Sequence, residues 1–138
     1  MRASFQAHSD PANGNCDYRL SARWRAQRWV VDNIIKSNGV EFDQGRLTII
    51  QSLAGAEVGP EIAMLKSRMQ KFDDIAPLLE AQARRREKIA ANYEAAGELV
   101  SAAESYYVAS HYWAVAQWPI LVNNDLNRTI LERLVAEK

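Results

Sequence analysis

The chain has 138 residues, 48% hydrophobic and 25% charged, a composition that suits one globular core and excludes wholesale disorder or a fibrous design. Seventeen Lys and Arg balance seventeen Asp and Glu, so no net field draws the chain to nucleic acid or to an anionic membrane surface. The lone Cys16 precludes an internal disulfide, no apolar h-region opens the sequence, and no run reaches the roughly 18–20 apolar residues that span a bilayer; the expectation is a cytoplasmic protein with no nucleic-acid and no membrane partner.

Residues 1–18 mix Ser, Asp, Pro, Asn and Gly without periodicity and read as a flexible leader to a helical unit over 19–138. From Leu20, helical spacing places Leu20, Trp24, Val31 and Ile34 or Ile35 on one stripe, and Asn38-Gly39 ends that helix. "EFDQGRLTIIQSLAG" holds the β-branched Thr48, Ile49 and Ile50, which favour a strand, yet a helix is the preferred reading. After a loop at Gly55, Gly59 and Pro60, the three- and four-residue spacing of Ile62, Leu65, Met69 and Phe72 predicts a third helix over about Glu61–Lys71.

Asp73 or Asp74 is placed to cap a fourth helix, from Ile75 to Ala96, with Pro77 in its first turn. Ile75, Leu79, Ile89 and Tyr93 mark its buried stripe. Arg84 to Lys88 form a solvated face interrupted by Arg86, which needs a partner. Gly97 stops the helix. Ser101 and Glu104 have the spacing of a capping box and predict a fifth helix from Ser101 to about Trp118, which precedes Pro119. A sixth, capped by Asn124 or Asp125, carries Leu126, Ile130, Leu131, Leu134 and Val135 towards the C-terminus. The fold class is therefore all-α, a compact antiparallel bundle of about five to six helices.

The fifth helix has no clear polar side. Ala102, Tyr106, Ala109, Trp113 and Ala116 form one stripe, with Tyr107 and Ala114 on one flank and Tyr112 on the other; the opposite side carries Val108 and Val115 beside Glu104 and His111. A helix apolar nearly all round calls for cover on every side, and a domain this small rarely encloses one of its own helices completely. Either the helix is central to an unusually compact bundle, or part of it docks on another body.

Catalytic motifs are missing: there is no nucleophile elbow, no glycine-rich phosphate loop, no HExxH and no Cys/His cluster, so no metal and no cofactor is expected. His111 and Glu104 suggest an acid/base pair, but a histidine at a packed boundary is the plainer reading. Cys16 reads as an inert surface thiol. Tyr106, Tyr107, Tyr112, Trp113 and Trp118 read as core more than as an aromatic pocket, and the basic run at Arg84 as a solvated face more than as a phosphate grip. Tyr93, Gly97, Ala109, Trp113 and Ala116 match positions of a tetratricopeptide repeat, but a single unit supports only an antiparallel helix pair.

"SNGVEFDQ" at Ser37–Gln44 and "AGELVSAAESYYVASHYWAVAQWPI" at Ala96–Ile120 resemble the N-terminal helical region of α/β-hydrolases related to the fermentation-respiration switch protein and the dihydroxy-pseudooxynicotine hydrolase. The similarity covers roughly Trp29–Val122. In that family the region is a cap over a following hydrolase domain, which holds the whole serine triad. The resemblance thus implies a non-catalytic cap of a serine-dependent hydrolase acting on a small ester, thioester or ketone-type molecule. Its partners would be a C-terminal hydrolase domain, a small-molecule substrate and, in a homo-oligomer, a second copy. No catalytic residue carries over. The surfaces expected against the missing domain or its substrate are the side with Val108, His111 and Val115, the flank with Tyr107, and Trp118. The alternative is a stand-alone interaction module that takes a partner helix or peptide in an aromatic groove.

Overall fold

A computed structural model describes residues 11–119 and 125–136. Their backbone forms helices α1 (Pro11–Asn38), α2 (Arg46–Ala54), α3 (Gly59–Arg68), α4 (Ile75–Ala95), α5 (Leu99–Ala116) and α6 (Asp125–Ala136), with short 3-10 turns at Ala56–Val58 and Phe72–Asp74. The protein is an all-α helical bundle, with no strand among the described residues.

Residues 11–18, read from sequence as leader, are the first turns of α1. Pro11 suits a first helical position, where the missing N–H has no intrahelical partner to lose. The rest of the expected leader, residues 1–10, lies outside the described residues, as does Asn124, one of the two caps expected for α6. The other end of α1 is as expected: Gly39 follows the last helical residue with φ at +88°, and its N–H bonds the Ile35 carbonyl at 2.8 Å.

The α2 segment is helical in spite of its β-branched residues. Its N-cap, Gly45, offers no side chain, and Glu41 supplies what is missing. The Glu41 carboxylate accepts the Thr48 N–H at 2.7 Å and the Thr48 hydroxyl at 2.9 Å. A negative group set against the first turn satisfies an orphan donor and opposes the helix dipole. Leu47 and Ile50 then point into the core.

α3 is shorter than expected, ending at Arg68, and Phe72 belongs to a separate turn. Asp74 stands at the N-cap of α4 but makes no bond to that helix. Its carboxylate instead accepts the N–H groups of Gln70 and Lys71, at 3.0 and 3.1 Å. α1 anchors the same turn: Asp32 accepts the Phe72 N–H at 2.8 Å, and Arg28 bonds Asp73.

α4 and α5 pair as an antiparallel hairpin. At their junction the Glu98 N–H bonds the Tyr93 carbonyl at 2.9 Å and the Gly97 N–H bonds Glu94 at 3.0 Å, the two bonds of a Schellman turn, with Gly97 at φ +79°. That turn starts α5 at Leu99, with Glu98 as N-cap, so Ser101 and Glu104 fall inside the helix and form no capping box. The inner side of α4 also differs from its expected stripe. Ile75 and Leu79 are buried, but so are Ala76, Ala83 and Ala90, whereas Ile89 is half-buried and Tyr93 is exposed. Small residues on α4 leave room for Tyr112 and Trp113 of α5, which are fully enclosed.

Candidate functional site

Two features of α5 separate structure from surface. The first is a pair of polar anchors on its buried side. The Tyr112 hydroxyl donates to Glu61 at 2.9 Å, and the same carboxylate pairs with Arg86 at 2.8 Å. Burial first, and then the Glu61 charge, hold the Tyr112 phenol far above its ordinary pKa. Beside it the indole N–H of Trp113 donates to Glu87 at 2.7 Å, and the Arg84 guanidinium lies 5.4 Å from the Trp113 ring centre. These groups are consumed by one another: Arg86 has the partner its position demanded, and the clamp ties α3, α4 and α5 together.

The second feature is the opposite side of α5, which is bare. Tyr107 is 49% and Val100 75% exposed, and Ala103, Glu104 and Ala114 are exposed as well. A shallow groove of about 880 Å³ runs along this side, formed by Ala103, Tyr107, Ser110, His111 and Ala114 of α5 and closed on one edge by Leu134 of α6. Leu131 and Val135 of α6 are exposed as well.

The five residues expected at a docking or substrate surface therefore divide. Tyr107 and His111 lie together on the bare side, ring against ring with centroids 4.4 Å apart. Val108 is buried in the bundle's own core, and Val115 is half-buried against it. Trp118 packs within the chain too: its ring meets Phe72 edge-on at 5.7 Å and carries the Arg46 guanidinium 3.9 Å above its face. Val108 is thus taken up by the bundle's own core, and Val115 and Trp118 are partly covered within the chain. α2 and the turn before α4 close that side of α5, so the sector left open is centred on Tyr107.

The His111 Nδ1 lies 2.7 Å from the Tyr107 carbonyl, a bond the ring makes as donor, which makes Nε2 the acceptor of the neutral ring. No hydrogen bond or ion pair joins His111 to Glu104 among the described residues, and the acid/base pair considered from sequence is not assembled. Among the same residues no three His, Cys, Asp or Glu side chains come together in a metal-holding group, and no helix is long and apolar enough to cross a membrane. No protein-family profile matches the chain, and no curated protein or solved structure is significantly similar to it.

Proposed function

We propose that this chain is a non-catalytic helical docking unit whose working surface is the bare side of α5 with its α6 rim. The observation that carries this reading is the division of α5 into two halves. One half is anchored by Tyr112 and Trp113; the other exposes Val100 and Tyr107, with Leu134 of α6 along the edge of its groove. Apolar side chains grouped along one groove mark an interaction surface more often than single scattered ones do.

A cap over a serine-dependent α/β-hydrolase domain is the form of docking unit that the sequence resemblance implies, and we propose it as the cellular setting. In that setting the chain shields a cleft and the chemistry belongs to the other domain. The groove's chemistry supports the docking role both for such a cap and for a stand-alone interaction module.

Binding of a hydrophobic dye tests the shared reading. The wild-type chain enhances the fluorescence of such a dye, and Tyr107→Arg reduces it while helicity is unchanged. Enhancement that persists in Tyr107→Arg, or is absent from the start, refutes the surface. The coding sequence beyond Lys138 tests the setting: a strand followed by Gly-x-Ser-x-Gly supports the cap, and a stop codon removes it.

A further inference from the structure

The bare side of α5 has a pattern of its own. Val100, Ala103, Tyr107, Ser110, Ala114 and Gln117 recur at alternating spacings of three and four, the repeat of a helix received by another helix at a shallow crossing angle. None of the six is charged, and all six are exposed or half-exposed. The stripe is also self-complementary. If α5 lies antiparallel to its own copy with the two-fold axis between Tyr107 and Ser110, Tyr107 falls opposite Ser110 of the partner subunit. Ala103 then faces Ala114 of the partner subunit, and the one bulky ring on each helix meets the other's small residue, as a two-fold interface requires.

Charge follows the same symmetry. Glu104 and His111 flank the stripe on the same edge, one heptad apart. In the antiparallel pairing, same-edge positions face each other, which sets Glu104 of each copy beside His111 of the partner subunit. Both groups face the open side: Glu104 is exposed and has no hydrogen bond or ion pair among the described residues, and His111, held by the Tyr107 carbonyl through Nδ1, has none at Nε2 among the same residues. A neutral imidazole held this way accepts at Nε2, and a protonated one donates from it to a carboxylate.

We infer that the occupant of this groove is a second copy of the chain, joined through an antiparallel α5–α5 contact with two Glu104–His111 pairs. The inference rests on the docking reading above and deepens it by naming the partner. A contact confined to one helix and its rim is small, so the dimer is a reversible one, in the micromolar range typical of modest interfaces.

Sedimentation of the full chain over roughly 1–300 µM, spanning a micromolar Kd, tests it. The expected result is a monomer–dimer equilibrium. Ala114→Arg abolishes association, because it places a charge on the stripe. Glu104→Lys or His111→Glu weakens it, each by about fivefold or more since every substitution acts twice in a two-fold dimer, and the double variant recovers. All three positions are exposed or half-exposed, and circular dichroism verifies that the variants fold. A monomer throughout the range, a dimer indifferent to Ala114→Arg, or a double variant no better than the single ones overturns the inference. If the chain is monomeric yet its dye binding still depends on Tyr107, the docking surface stands and only the second copy is removed as its occupant.

Discussion

Tyr112 and Glu61, 51 residues apart in sequence, meet at 2.9 Å through the phenol hydroxyl and a carboxylate that also holds Arg86. The geometry is a clamp among three helices, and its members differ in what their loss leaves behind. Tyr112→Phe removes one donor while Glu61 keeps Arg86, and the expected destabilisation is about 1–2 kcal/mol. Glu61→Ala strands a half-buried guanidinium and orphans the phenol at once, and about 3 kcal/mol or more is expected. Urea denaturation of the two variants checks the order, and a larger loss in Tyr112→Phe than in Glu61→Ala contradicts the clamp.

The same contact couples folding to alkaline pH. Tyr112 has its folded pKa raised above the ordinary 10.0, first by burial and then by the Glu61 charge. Folding therefore favours the neutral phenol, a preference that costs nothing below about pH 10 and is lost as pH rises towards the folded value. Between about pH 9 and pH 11 the wild-type chain is expected to lose more stability than Tyr112→Phe, where this group is gone. Thermal melts across that range give the comparison, and parallel declines count against the assignment.

Much of this architecture is legible in sequence because helix ends are local events. Asn38-Gly39 and Gly97 mark stops that depend only on which residues accept positive φ. The start of α5 shows the limit. Ser101 and Glu104 have the right spacing for a cap, but the Schellman turn at Gly97 reverses the chain so tightly that the next helix begins two residues earlier, and the supposed cap is carried inside it. The candidate surface was half legible for a related reason. A wheel shows that α5 lacks a polar side without showing which sector its own bundle closes. That choice depends on where α2 and the Phe72 turn pack, and they close the sectors of Val108, Val115 and Trp118. The Glu61 clamp carried only one signal in sequence, an arginine at position 86 that needed a partner.

Gly97 offers a test of the α4–α5 junction. Its φ is +79°, and a Cβ built there meets nothing within 4 Å. The effect of substitution is thus conformational and not steric. Gly97→Ala is expected to destabilise the protein by about 1 kcal/mol and Gly97→Asn by less, since Asn tolerates the left-handed region better. Equal losses in chemical denaturation of the two variants would point to a hidden clash instead.

Glu41 gives the opposite pH dependence to Tyr112. Burial opposes its ionised form, but hydrogen bonds from Lys66 and from the Thr48 main chain and hydroxyl, with the Lys66 charge, outweigh it and hold the carboxyl below its ordinary 4.5. A depressed folded pKa means that the ionised group stabilises the fold above about pH 4.5 and that this contribution disappears as pH falls through the folded value. Glu41→Gln is therefore expected to lower stability by about 1 kcal/mol at neutral pH, because it weakens both the cap on α2 and the Lys66 pair. At an acid pH below the folded value the wild-type carboxyl is itself protonated, and the two proteins should converge. Thermal melts at both pH values read out the difference directly. A gap of equal size at neutral and acid pH means that Glu41 acts through shape alone, with its charge contributing nothing to the start of α2.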